Sequence, residues 1–215
     1  MPDLSFKVEE AAVVSYAMIP TLGLKLRITN ADRAEMIHTV ALRCQIQIDV
    51  ARRRYTAEEQ AAMRDLFGEP ERWSQTLRTL LWTHVSVVVP SFTGSTLAEL
   101  PIHCTFDFNV AVTKYFDGLR AGEIPLQLLF SGTVFYADPD DGLQVAPISW
   151  SQEAQFRLPA NLWRDMMDAY YPNTAWLNLR RDVFERLHEY KMRNGLPTWE
   201  QALERVLPVE ETVGS

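Results

Sequence analysis

Leu100-Pro-Ile-His-Cys-Thr-Phe-Asp-Phe-Asn-Val-Ala-Val112 carries an apolar side chain at every even position, and His103, Thr105, Asp107 and Asn109 stand at odd ones. Strand side chains alternate between faces, so this rhythm predicts a strand with one buried and one wet face. Thirteen residues exceed the usual strand length, so a bulge or bend is expected within it.

The same period recurs on either side. Leu4 to Val8 alternates. Leu22, Leu24, Leu26 and Ile28 share one parity, and Val40, Leu42, Cys44, Ile46 and Ile48 form a third apolar face opposite Arg43, Gln45 and Gln47. His84 to Val89 reads as a strand stopped by Pro90. Leu126, Leu128, Phe130, Val134 and Tyr136 line another face around Gly132. Asp138-Pro-Asp-Asp-Gly142 is a hairpin loop by its turn residues, with Leu143 to Trp150 as the return strand. Its acidic string lacks the downstream bidentate Glu of a calcium loop. Seven or eight strands suit a sandwich better than an open sheet.

Helical punctuation interrupts the pattern twice. Arg52-Arg53-Arg54 breaks the alternation, and Thr56-Ala-Glu-Glu59 is a capping box opening a helix through Leu66 that Gly68 and Pro70 end. Residues 54–82 are therefore expected to be a helical insertion. From Leu158 the period becomes helical, with Pro159 suited to a first turn and helices over 159–171 and 175–193. Thr198-Trp-Glu-Gln201 caps a short last helix to Leu207. The predicted fold class is α+β, mainly β: an antiparallel immunoglobulin-like β-sandwich over 1–155, the insertion within it, a helical C-terminal cap over 156–208 packed on the sandwich, and a disordered tail over 209–215.

The chain has 215 residues and a net charge of −7. A chain of this size buries roughly 70% of the surface its unfolded form exposes, so it needs no disulfide or metal to fold. An acidic balance argues against nucleic acid, whose phosphates demand a basic surface. The charge is uneven: residues 1–55 hold 8 basic and 6 acidic groups (+2), and residues 56–215 hold 13 and 22 (−9). Met1-Pro-Asp-Leu-Ser-Phe-Lys7 shows no signal peptide, and no apolar run approaches the roughly 20 residues of a membrane span. A cytoplasmic location is expected, with Cys44 and Cys104 as reduced, buried thiols. Their placement on two strands also resembles an immunoglobulin inter-sheet pair.

No reactive cluster stands out. His103 and Cys104 are neighbours on a strand and face opposite ways, and no His-x-x-x-His or Cys-x-x-Cys spacing exists. His84 beside Thr83 and Ser86 reads as a hydrogen-bonded edge residue. Phosphate-loop, dinucleotide and nucleophile-elbow patterns are absent. Glu58, Glu59, Asp65, Glu69 and Glu71 read as a solvated helix face. The expectation is therefore no catalytic residue, no metal and no cofactor. Trp is enriched at interfaces as well as at sheet–helix seams, so Trp73 and Trp82, flanking the insertion, and Phe92 in the loop Phe92-Thr-Gly-Ser-Thr96 are the candidate partner surface. A second reading is a small-molecule or carbohydrate-binding sandwich, which would need Trp73, Trp82 or Trp150 exposed in a groove.

Leu42-Arg-Cys-Gln-Ile46, Leu66-Phe-Gly-Glu-Pro70 with Trp73, Trp82-Thr-His-Val-Ser86, Phe92-Thr-Gly-Ser-Thr96, Lys114-Tyr-Phe116, Gly122-Glu-Ile-Pro-Leu126, Leu129-Phe-Ser-Gly-Thr-Val134 and Leu196-Pro-Thr-Trp199 span nearly the full length. On these strings the chain resembles an uncharacterised bacterial family classed only as a domain of unknown function. The resemblance implies genes often encoded beside those of nickel–iron hydrogenases. It therefore implies a non-enzymatic accessory protein that assists assembly of such an enzyme or attaches to it, with a hydrogenase subunit as the protein partner. It assigns no site residues. Two Cys fall short of the roughly four ligands an iron–sulfur cluster takes.

Overall fold

The computed structural model describes residues 2–138 and 142–207. The expected tail 209–215 and the centre of the acidic hairpin loop lie outside the described residues. Nine strands are present among them: β1 (Leu4–Val13), β2 (Thr21–Asn30), β3 (Met36–Ile48), β4 (Leu80–Val89), β5 (Phe92–Thr93), β6 (Ser95–His103), β7 (Glu123–Asp138), β8 (Gly142–Pro147) and β9 (Glu153–Pro159). One antiparallel sheet runs β1-β2-β6 and the other β4-β3-β7-β8, with β5 added to β3 and β9 to β7. The two form the immunoglobulin-like sandwich that the alternation predicts.

The apolar parities of the sequence are its inner faces. Leu22, Leu24, Leu26 and Ile28 of β2, Val40, Leu42, Cys44, Ile46 and Ile48 of β3 and Leu126, Leu128 and Phe130 of β7 are all buried. Phe6 of β1 stacks on Phe130 of β7 with ring centroids 4.4 Å apart, tying one sheet to the other. Each fully buried aliphatic or aromatic side chain contributes roughly 1.5–3 kcal/mol by leaving water.

β7 is flanked by β3 along one edge. Its other edge is shared in succession by β9, on Glu123–Leu129, and β8, on Thr133–Asp138. Gly132 sits at the handover with φ of +141°, and a Cβ there would stand 2.0 Å from the Ala41 carbonyl oxygen. Only glycine fits that approach of backbone to backbone.

Three departures from the sequence reading matter for function. First, the strand predicted over Leu100–Val112 ends at His103. The chain leaves the sheet there, and a helix over Val110–Gly118 follows. Its Asn109 cap, rather than a bulge, resolves the excess length, and Phe108 is left 53% exposed.

Second, the insertion between β3 and β4 occupies 49–79 rather than 54–82 and is more broken. It contains α1 (Ala57–Ala62), α2 (Arg64–Phe67) and α3 (Trp73–Thr76). The capping box forms as predicted, with Thr56 Oγ1 accepting from the Glu59 N–H and the Glu59 carboxylate accepting from the Thr56 N–H. The run through Leu66 is interrupted at Met63. Trp82 belongs to β4. There Ile46 pairs with Thr83 and Gln47 with Leu81, so Trp82 is the extra residue of a bulge. Trp82 and Thr83 are consecutively buried, which is why a strict two-residue period misses the start of this strand.

Third, the boundary moves. Residues Met1–Thr174 form one compact unit and Ala175–Ser215 a second. The first therefore includes α4 (Val110–Gly118) and α5 (Ala160–Tyr170). Trp163, Met166 and Met167 on one face of α5 join the core. Trp163 stacks on Phe116 of α4, which in turn meets Trp82, both at 5.0 Å. In the second unit α6 (Arg181–Arg193) and α7 (Trp199–Val206) meet through Phe184 and Trp199, 5.3 Å apart. No helix among the described residues is long and apolar enough to cross a membrane.

Candidate functional site

Arg52, Arg53 and Arg54 follow β3, where the chain turns into the insertion. They face the loop 119–123 that leads from α4 into β7. Arg53 points inward. Its Nε donates to the Glu123 carbonyl at 3.1 Å, and its Nη2 donates to Glu59 Oε1 at 3.0 Å and to the Ala121 carbonyl. Glu59 Oε1 also accepts from the Arg120 N–H at 2.9 Å. Arg164 of α5 donates to the carbonyls of Leu119 and Arg120. Two guanidiniums thus satisfy four carbonyls of a loop that makes few backbone pairings of its own.

Burial pushes the Glu59 carboxyl upward. The hydrogen bonds from the Arg120 and Thr56 N–H groups and from Arg53 outweigh it and hold the group below its ordinary value. Behind this latch the Tyr55 hydroxyl donates to the Val50 carbonyl at 2.7 Å and lies 3.0 Å from the Tyr115 hydroxyl. Burial raises both phenols. The Glu59 carboxylate, read from sequence as solvated, is a buried structural anion. Its capping-box role and the arginine run three residues before the cap were the sequence signals of that role.

In front of the latch lies a cleft of about 560 Å³ lined by Arg52, Arg53, Arg54, Arg120 and Arg157, with Glu59 and Glu123. With Asp49 and Glu58, which pair with Arg52 and Arg120, five cations meet four carboxylates and leave +1 there, in a chain of net −7. Three of the arginines hold carboxylates: Arg52 the partly buried Asp49 at 3.1 Å, and Arg120 and Arg157 the exposed Glu58 at 2.8 Å and Glu123 at 3.6 Å. Such pairs are worth about 0–1 kcal/mol each and exchange readily. Arg54 is exposed and has no ion pair among the described residues. Arg53 Nη1 is buried without a hydrogen-bond partner among them. The cleft continues into a second depression of about 430 Å³, which shares Arg52, Pro125 and Arg157 and adds Gln127, Gln155 and Phe156.

The residues singled out from sequence lie elsewhere and apart. Trp73 is buried against Tyr55 and Phe67, its indole N–H donating to the Gly68 carbonyl at 2.9 Å. Trp82 is buried against Phe116, and Phe92 is buried on β5 opposite Ile37. Trp73 packs within the insertion, Trp82 fills the seam between β4 and α4, and Phe92 lies in the core beside β3, so the three side chains expected as a partner surface are buried instead. Trp150 is 93% exposed, in the turn before β9. His84 is exposed on the outer face of β4 opposite Gln45. Cys44 and Cys104 are free and buried. Among the described residues no group of three or more His, Cys, Asp or Glu side chains is placed to hold a metal ion.

What the arrangement can do chemically is hold an oxyanion on forked guanidiniums. Among curated proteins, none matches the chain. Two solved structures are similar at low level. One is a protein described as late embryogenesis abundant (16% identity, 74% of this chain and 73% of that chain, TM-score 0.31). The other is the CARDB domain of a Pyrococcus furiosus protein in complex with di-metal ions (10% identity, 74% and 92%, TM-score 0.29). Over residues 1–214 the sequence matches the model of DUF6084, and the chain belongs to that family of unknown function.

Proposed function

We propose that this protein is a non-enzymatic accessory protein that binds a protein partner through an anionic group received in the arginine cleft. The observation that carries the reading is the cleft itself. It is a concentration of five guanidiniums on an otherwise acidic chain, on walls that a buried ion pair and two carbonyl-holding arginines keep in place. Arginine is the side chain best suited to planar recognition of carboxylate and phosphate. The gene-neighbourhood resemblance makes a nickel–iron hydrogenase subunit the first partner to test.

The test is affinity purification of the tagged protein from its native host, beside an Arg54→Glu/Arg157→Glu double variant. Enrichment of a hydrogenase subunit that the double variant loses supports the reading. Absence of any such subunit, or its retention by the variant, overturns it.

The carbohydrate-binding alternative keeps one of its three tryptophans, the exposed Trp150. Binding there would change indole fluorescence in a panel of sugars, and a Trp150→Ala variant would abolish the change.

A further inference from the structure

We infer that the arginine cleft and the depression beside it form one groove for an extended acidic peptide segment of a protein partner, carboxylates in the arginine half and the remaining backbone across Gln127 and Gln155. The inference rests on the binding reading above and names its ligand. Four observations carry it.

The two depressions share Arg52, Pro125 and Arg157, so they are one continuous surface rather than two sites. Across the β7–β9 ladder Pro125 stands opposite Arg157 and Gln127 opposite Gln155. Alternate residues share a face, which sets two side-chain amides one step along from the arginine end. Amides that both donate and accept suit a peptide backbone better than a second phosphate. Gln155 makes no side-chain hydrogen bond among the described residues, whereas Gln127 is held by Glu153 at 3.0 Å.

The arginines of this cleft already accept carboxylates in their present geometry. Arg52, Arg53, Arg120 and Arg157 each hold one from within the chain. The partners of Arg120 and Arg157 can be exchanged for those of a ligand, because these pairs face solvent. Finally, the Arg53 side chain is 7% exposed, lines the cleft and leaves Nη1 without an acceptor. A buried donor without a partner costs free energy that any acceptor able to approach it would recover.

A fluorescein-labelled hexaglutamate peptide, titrated with the full chain in low salt and followed by anisotropy, tests the inference. Saturable binding is expected, weakening about tenfold or more between low and physiological salt, because surface charge attraction is screened over a Debye length. The Arg54→Glu/Arg157→Glu variant is expected to lose about tenfold or more in affinity. A control of equal charge change, Arg186→Glu/Arg205→Glu on α6 and α7, is expected to stay within about twofold of the parent. Circular dichroism and the melting temperature establish that both variants fold.

Absence of saturable binding overturns the inference, as does equal loss in both variants. Displacement of the peptide by inorganic phosphate at concentrations where acetate has no effect also overturns it, since the cleft then selects phosphoryl groups. If the peptide fails to bind while the cleft variant still loses its native partner, the cleft stands and the acidic-peptide assignment falls. If the variant keeps its native partner, the binding reading itself falls.

Discussion

Arg53 Nη2 reaches Glu59 Oε1 at 3.0 Å with both side chains more than nine-tenths buried. This pair joins the end of β3 to the first turn of α1, and the same carboxylate takes the Arg120 N–H from the loop before β7. One carboxylate therefore ties the start of the insertion to a loop 61 residues further on. A buried pair of this kind is weak evidence for net stability, because both ions were desolvated to form it. Removing one partner is a different matter, since the other charge stays buried and uncompensated.

Glu59→Gln keeps the shape and deletes the charge. Loss of about 3 kcal/mol of unfolding free energy is expected, from the stranded Arg53 guanidinium. Urea denaturation followed by circular dichroism measures it. A change under about 0.5 kcal/mol, the range of ordinary surface substitutions, would show that the pair is dispensable.

The same carboxylate predicts the acid side of the stability profile. Burial raises Glu59, but its three hydrogen-bond donors prevail, so its folded-state value lies below the ordinary 4.5. A group depressed on folding contributes stability in full above its unfolded value and loses it as pH falls through the folded one. Stability should therefore decline below about pH 4.5, and the Glu59→Gln protein should decline less steeply over that interval. Melting temperatures from pH 7 to pH 3 for both proteins provide the comparison, and parallel curves would refute the assignment.

The parity of the strands was legible because burial on one face of a sheet leaves a two-residue trace, as in Leu22 to Ile28 and Val40 to Ile48. Trp82 was misplaced because a bulge breaks that trace at the position where a core aromatic sits. The end of β6 was missed for a related reason. Cys104, Phe106, Val110 and Val112 keep an alternating parity while the chain turns and starts a helix, and only the Asn109 cap marks the change. The arginine cleft was illegible as a site because its members come from the turn after β3, the loop before β7 and β9, which strand pairing brings together. Three adjacent arginines and a capping box were visible, but nothing local says that one of those arginines and the cap glutamate turn inward toward each other.

Burial raises the thiols of Cys44 and Cys104 to about 12. The thiolate is the reactive form, so at pH 8 neither should react with a disulfide reagent such as Ellman's in the folded protein. Both should react once denaturant is added. One thiol titrating rapidly in native buffer would contradict the buried placement of that strand.

Asn109 does two things at once. Its side-chain oxygen accepts from the Val112 N–H at 3.2 Å, capping α4, and its amide nitrogen donates to the carbonyls of Leu81 and Trp82 at 3.0 and 3.2 Å. The residue therefore fixes the helix start against the bulged end of β4, beneath the Trp82–Phe116–Trp163 stack. Loss of a cap alone costs about 1 kcal/mol, and a hydrogen bond to buried backbone adds about 1 kcal/mol more. Asn109→Ala should then destabilise by about 2 kcal/mol. Asn109→Asp keeps the cap and forfeits the two donated bonds, so it should fall between the parent and the alanine variant. Equal losses in both variants would mean that the cap contributes nothing and that the tie to β4 alone holds α4 in place.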